Sequence, residues 1–289
     1  MSEKEIDSVS NVETTGHEWD GIKELDNPLP RWWLHLFYAT IVFSIGYCIY
    51  FPAIPLLSSA TEGVGGYSSR TDLHETMAEV AEGRTALLAE IEATEVGAIA
   101  NKPELLRFAN AGGASLYKVY CSQCHGSGAQ GAAGYPNLND DDWLWGGSVE
   151  QIAATIRHGV RYEADDDTRF SEMPAFGRDG LLEREDISAT AHFVLKLAGQ
   201  EHDADAATSG AVVYEEQCAA CHGEQGLGDQ ELGAPNLADA IWFYGDTHAE
   251  IAAQIANPKH GVMPGWGERL GETAVKQLAV YVHGLGGGE

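Results

Sequence analysis

Positive charge is scarce in this 289-residue sequence: 17 Lys and Arg stand against 44 Asp and Glu, a formal net charge of -27. That balance excludes nucleic acid as a partner, because phosphate binding is built from Lys and Arg. Cysteine is sparse too, with five residues. Four fall in two short motifs and the fifth, Cys48, sits in an apolar run, so no pair is left for a structural disulfide and Cys48 reads as a small packing residue. No stretch alternates with period two over several residues, so sheet is not expected and the chain reads as all-α. Methionine is the last scarcity. Beyond Met1 there are only Met77, Met173 and Met263, which makes the position of each informative.

The four motif cysteines form Cys121-Ser-Gln-Cys124-His125 and Cys218-Ala-Ala-Cys221-His222, two copies of C-x-x-C-H. This is the attachment pattern of c-type haem: two thiols bond the haem vinyl groups and the adjacent His ligates the iron. A redox C-x-x-C or half a zinc site are the rival uses. The surroundings favour haem, because they repeat as well. Pro136-Asn137-Leu138, Trp143, Gly146, Ile152, His158-Gly159-Val160 and Met173-Pro174 in the first copy return as Pro235-Asn236-Leu237, Trp242, Gly245, Ile251, His260-Gly261-Val262 and Met263-Pro264 in the second. A duplicated domain explains this. The main difference is an extra acidic run, Tyr162 to Glu172, in the first copy, which a surface loop tolerates at little entropic cost.

Each repeat follows one plan. A helix enters the motif (Pro103 to Tyr120; Ser209 to Gln217), a Gly-rich loop and a short helix follow, and a Met loop with an amphipathic helix (Glu183 to Leu197; Glu272 to His283) closes the unit. Each repeat is therefore expected to complete its own domain, 108–200 and 201–289.

Ahead of them, residues 1–30 are acidic and aperiodic and read as a loose tail. Trp32 to Phe51 holds 20 residues without a charge, enough for about 30 Å of bilayer at ~1.5 Å per residue. With its aromatic ends it reads as a transmembrane helix within 31–56; a cleaved signal peptide fits less well with so long an acidic lead. Lys23 and Arg31 precede the span and no Lys or Arg occurs from Trp32 to Ser69, which places the N-terminus inside. His35 reads as an interfacial or subunit-facing residue. Residues 57–107 are a linker and a spacer helix, Thr71 to about Gly97.

The linked C-x-x-C-H, Pro-Asn-Leu and Met-Pro elements resemble single-haem cytochrome c domains of the mitochondrial type. Asn27-Pro-Leu-Pro-Arg-Trp-Trp33 ahead of the span, with Asn139-Asp-Asp-Asp-Trp-Leu-Trp-Gly-Gly147 in the first repeat, is similar to the di-haem subunit III of cbb3-type cytochrome c oxidase. The likeness runs from about residue 20 to the end; the acidic insert departs from it. It implies one transmembrane helix followed by two tandem cytochrome c domains outside a bacterial inner membrane, carrying two covalent haem c groups. The partners implied are a catalytic haem-copper subunit, a mono-haem cytochrome c subunit and a cytochrome c donor. Cys121, Cys124, Cys218 and Cys221 attach haem; His125 and His222 ligate iron. Met173 and Met263, in matching Met-Pro contexts, are the expected sixth ligands, with His158 and His260 as alternatives.

Pro136 and Pro235 are expected to offer a carbonyl to the ligand His, or else to be turn prolines. Trp143 and Trp242 are expected to seal the haem edge. The role implied is a non-catalytic electron relay; a di-haem peroxidase, or a cytochrome of another respiratory or sulfur-oxidising complex, are the alternatives. Charge is uneven, with a net of -11 over 201–289 against -6 over 108–200. That points to the second repeat as the entrance for a basic donor, unless the acidity is only a solvated surface.

Overall fold

The tail contains a hairpin. In the computed structural model, which describes residues 5–287, β1 (Thr14–Trp19) pairs antiparallel with β2 (Ile22–Leu25), Trp19 opposite Ile22. Asp20 and Gly21, at φ 51° and 83°, make the turn. Two central residues at positive φ match the twist of paired strands, and Asp-Gly is the sequence that adopts them. The expectation of a loose tail without sheet is corrected here; strands this short leave no usable alternation, and the turn dipeptide was the signal. Every other regular element among the described residues is helical.

Helix α1 (Arg31–Tyr50) has no buried residue. Past Arg31 its surface is uncharged and apolar over about 30 Å, close to the thickness of a bilayer's hydrocarbon core. The helix ends at Tyr50, six residues short of the expected limit at 56. There Phe51 turns extended, and the chain returns so that Val64 and Gly65 donate N–H to the Ile49 and Tyr50 carbonyls, each at 3.0 Å. Those carbonyls have no partner within the helix, so the Gly-rich linker acts as its cap.

Helix α2 (Ser69–Ala93) follows, with Ile91 its one buried residue. Two compact units divide at Gly83 and Arg84. The second contains the end of α2, a 3-10 turn (Val96–Asn101), α3 (Pro103–Tyr120), α4 (Ser122–His125), α5 (Val149–His158), α6 (Arg184–Leu197), α7 (Ala204–Gln217), α8 (Ala219–His222), α9 (His248–Ala256), α10 (Gly267–Leu270) and α11 (Glu272–His283). Ser148 and Thr247 start α5 and α9 with matching capping boxes, so the duplication extends to helix caps.

These helices pack into two cores, and the cores do not follow the repeats. The first gathers Ile91, Ile99, Leu105, Tyr117, Ile152 and Ile156 with Val275, Leu278 and Val282, so that α11 lies on α3 and α5. The second gathers Phe176, Ile187, Val194 and Leu195 with Tyr214, Ile251 and Ile255, so that α6 lies on α7 and α9. Each repeat thus gives its closing helix to the other. Gly113 in α3 and Gly210 in α7, each eight residues before its first motif Cys, mark the crossings. A Cβ at Gly113 would sit 2.2 Å from the Gln277 carbonyl oxygen, and one at Gly210 would sit 2.0 Å from that of Ala189.

Polar contacts repeat the exchange. Arg157 of α5 makes a two-pronged ion pair with Glu272 at the start of α11, at 2.9 and 2.6 Å. Lys276 of α11, 8% exposed, donates to the carbonyls of Glu92 and Thr94 at 2.9 Å and of Ile91 at 3.4 Å. A cation at a helix C-terminus satisfies orphan carbonyls and meets the negative end of the dipole. Replacing Lys276→Met is expected to cost about 2–3 kcal/mol, since charged hydrogen bonds are worth ~1.5–3 kcal/mol and buried carbonyls are left without partners. A lowered thermal midpoint checks it.

Candidate haem-binding sites

Both motifs are built the same way. Cys121 caps α3 and Cys218 caps α7, and the following four residues form one helical turn, α4 and α8, that carries the second thiol and the imidazole. Cys121 is half-buried and Cys218 buried, whereas Cys124 and Cys221 are exposed. Burial, then the neighbouring motif Cys, pushes Cys121 and Cys218 up to about 11. Neither is the acidic thiolate that a disulfide oxidoreductase uses, which weakens the redox reading of C-x-x-C.

The two motif histidines sit in matching settings. Nδ1 of His125 lies 3.0 Å from the Pro136 carbonyl oxygen and Nδ1 of His222 lies 3.1 Å from that of Pro235. A carbonyl only accepts, so Nδ1 carries the proton and Nε2 keeps its lone pair for a metal. Burial holds both imidazoles below the ordinary histidine pKa and so in the neutral form a metal requires, against the opposing effect of the Pro carbonyls. The proline alternative of a simple turn is set aside by these contacts.

Met263 packs in the first core, with Cys121, Leu138 and Trp143. Met173 packs in the second, with Cys218, Leu237 and Trp242. Each Met therefore lies with the motif of the other repeat, whereas the sequence plan had each repeat complete itself. The alternative ligands have other partners: Nδ1 of His158 is 3.1 Å from Asp165 in the acidic insert, and Nε2 of exposed His260 accepts the Met173 N–H at 3.2 Å. Trp143 donates its indole N–H to the Gly287 carbonyl.

A haem also brings two carboxylates, and one half-buried arginine keeps an N–H open. Arg169 Nε is buried with no hydrogen bond, and desolvation holds the guanidinium below its ordinary pKa. Its Nη2 donates to the Gln151 carbonyl at 3.3 Å and the guanidinium lies 5.5 Å from the Trp145 ring, so the open Nε–H alone is left to suit an anionic group of a ligand. Thiol pair, neutral His, apolar walls and thioether together suit haem c.

The same conclusion comes from likeness to known proteins. The family model described as "Cytochrome C oxidase, cbb3-type, subunit III" matches residues 108–194 and 205–282, and "N-terminal domain of cytochrome oxidase-cbb3, FixP" matches residues 11–58. The chain belongs to the cbb3-type oxidase subunit III family. Relatives include the cbb3-type cytochrome c oxidase subunit CcoP of Cereibacter sphaeroides, 51% identical over 96% of this chain and 95% of that protein. Subunit FixP of Sinorhizobium medicae is 52% identical over 99% and 98%, and CcoP of Azospirillum brasilense 48% over the full length of both.

Within this subunit III chain, two residues pass unnoticed in the sequence. Tyr117 and Tyr214, almost fully buried, donate their hydroxyls to the Gly126 and Gly223 carbonyls at 2.8 Å, and burial pushes both phenols up to about 12. Each ties the entering helix to the residue after the motif His. Both stand four residues before their first motif Cys, and that shared offset was the available signal. Replacing Tyr117→Phe is expected to cost about 1–2 kcal/mol by leaving the Gly126 carbonyl short of a partner, read as easier denaturant release of the His125 ligand.

Proposed function

We propose that this chain is the membrane-anchored relay of a cbb3-type oxidase, binding two haem c groups and passing electrons from a cytochrome c donor to the oxygen-reducing subunit, in a complex that also holds a mono-haem cytochrome c subunit. The observation that carries it is that each core contains a full ligand kit: C-x-x-C-H with a neutral His, and a Met in the same apolar cluster. Haem c held by His and Met supplies a one-electron couple and leaves no coordination position for a substrate. The protein's share is to fix both ligands, exclude water and present an edge. Pro136 and Pro235 orient the imidazoles, Trp143 and Trp242 wall the cores, and exposed Cys124 and Cys221 mark where each site reaches the surface.

Ferric protein is expected to show the weak near-infrared absorption of Met-ligated haem, at two haems per chain by iron content. Fast, stoichiometric binding of carbon monoxide to the intact reduced protein contradicts this and favours the peroxidase alternative, whose iron needs an open position.

Anchoring follows from α1, the one described helix long and apolar enough to cross a membrane. Lys23 and Arg31 before it support an N-terminus in the cytoplasm and haem sites on the outer, periplasmic side of a bacterial inner membrane. Protease added to spheroplasts should then digest the haem-bearing part and spare residues 1–30; loss of the tail instead reverses the orientation.

A further inference from the structure

We infer that the N-terminal hairpin is a docking tip: exposed Trp19 and Ile22 seat on Lys- and Arg-rich cytoplasmic loops of a multi-span membrane subunit in the same complex. This rests on the topology proposed above, with residues 1–30 inside, and states what the tail does there.

The tail is ordered by more than one turn. Ile6 bridges Glu13 antiparallel beside the β1–β2 pair, Thr14 donates its N–H to the Glu5 carbonyl at 2.7 Å, and Asp7 donates to that of Val12 at 2.9 Å. The Asp7 carboxylate closes this second turn by accepting from the Val9 and Ser10 N–H groups at 3.2 and 2.7 Å. Residues 5–26 thus form a three-segment meander, yet Thr14 alone is buried in it. A sheet this small has no apolar core of its own and gains stability by packing on something else.

What it offers for packing is at the tip. Trp19 and Ile22 flank the Asp20-Gly21 turn and lie opposite each other, so both project from one face, 66% and 72% exposed. A Trp set beside an aliphatic neighbour is the kind of anchor that carries binding energy at an interface. The surround is acidic: residues 5–26 hold seven Asp and Glu against Lys23 alone, and Lys23 is itself paired with Glu5.

Charge decides the partner. The cytoplasmic leaflet carries a negative surface potential that draws in basic segments and repels this one, so a lipid surface does not suit the tail. A basic protein surface does. Multi-span membrane proteins concentrate Lys and Arg in their cytoplasmic loops, and an oxidase subunit of this family belongs to a complex with the catalytic subunit. Such loops therefore lie where the tail emerges. Only Asp26 to Pro30 separate β2 from α1, which keeps the hairpin within roughly 20 Å of the start of the span. Pro28 and Pro30 stiffen that spacer. Docking by a tethered tip is intramolecular within the complex, so a small apolar contact ringed by complementary charge suffices.

The test replaces Trp19→p-benzoylphenylalanine, a photo-crosslinking residue, in the full chain co-expressed with its oxidase partners. Irradiated membranes are expected to yield a product joining position 19 to a Lys- and Arg-rich cytoplasmic loop of a multi-span subunit, mapped by mass spectrometry. Two further changes keep the hairpin and alter its tip. Ile22→Thr retains β-propensity and removes the apolar neighbour. Glu18→Gln, Asp20→Asn and Glu24→Gln together remove three charges, and Asn-Gly suits the turn as well as Asp-Gly. Each is expected to lower the crosslink yield about fivefold or more, with haem content unchanged. Crosslinking to lipid alone, to no protein, or to a membrane subunit with undiminished yield in both variants overturns the docking. Protease treatment of spheroplasts from the same cells separates the two ways of failing. A spared tail without a crosslink refutes the docking and leaves the topology standing, whereas a digested tail refutes the topology and the docking with it.

Discussion

Replacing Glu215, Glu216, Glu224 and Glu231 with Lys is expected to slow reduction by a basic cytochrome c donor about tenfold or more at low salt. All four are exposed, Glu215 and Glu216 at the end of α7 and Glu224 and Glu231 in the loop after α8, close in sequence to Cys218 and Cys221. Assigned by packing, the charge asymmetry is sharper than the repeats suggested: residues 173–256 hold 15 Asp and Glu against 3 Lys and Arg, whereas 84–158 with 263–287 hold 10 against 7. Steering by such a field raises association rates by about 10–10³ and contributes less to final affinity. Exposed charges are screened beyond about 8 Å at ~0.15 M salt, so the unaltered reaction should itself slow steeply as salt is added. The control must come from the other core. Glu183 and Glu185, first-repeat residues by sequence, stand at the start of α6 and so border the second core; Glu104 and Glu268, exposed on the first, are the proper comparison. A donor rate indifferent to salt, or more sensitive to Glu104→Lys and Glu268→Lys, makes the acidic face a solvated surface and puts electron entry elsewhere.

The candidate haem motifs were legible in the sequence because covalent attachment, as proposed, demands neighbouring residues: two thiols and a His fall within five positions, so their spacing is the signal. The Pro136 and Pro235 carbonyls were legible for a similar reason, each repeating at a fixed place after the motif. Which Met packs with which motif was not. Met173 and Met263 reach their sites through tertiary packing, and because the repeats are alike, each closing helix suits either entering helix. Local pattern is then silent between the two arrangements, and chain geometry decides. Only five residues separate the α6 end at Leu197 from Asp203, the cap of α7, so α6 folds back on its neighbour as a helical hairpin. That leaves α3 and α5 open for α11. The hairpin at Trp19–Ile22 escaped for the opposite reason, its signal lying in two turn residues and not in any periodicity.

The exchange makes the boundaries of independent folding differ from those of the repeats, and this gives the largest effect expected of the chain. Residues 173–256 alone are expected to fold as a one-haem His/Met cytochrome, and residues 201–289 are not. Every residue of the second core lies between Met173 and Ala256, in the order Met loop, closing helix, entering helix, motif, which is a circular permutation of the usual plan. The fragment 201–289 keeps a C-x-x-C-H and a Met yet discards Phe176, Ile187, Val194 and Leu195. At about 1.5–3 kcal/mol for each large buried side chain, their loss is on the order of 6–12 kcal/mol. That equals the whole stability of an ordinary domain, about 5–15 kcal/mol. The first core offers the complementary case. Its residues fall in 87–156 and 263–285, and Val160 and Met263 are already antiparallel neighbours. Deleting 161–262 and joining the ends by a short turn should leave a one-haem cytochrome in conventional order, since closing so short a gap costs little entropy. Both trimmed proteins, exported for haem attachment, are expected to carry one haem each, to show Met ligation in the near-infrared and to unfold cooperatively. The 201–289 fragment is expected to be degraded, or to carry haem that binds carbon monoxide at once. A stable, Met-ligated 201–289 beside a misfolded 173–256 would make each repeat self-sufficient and refute the exchange at its root.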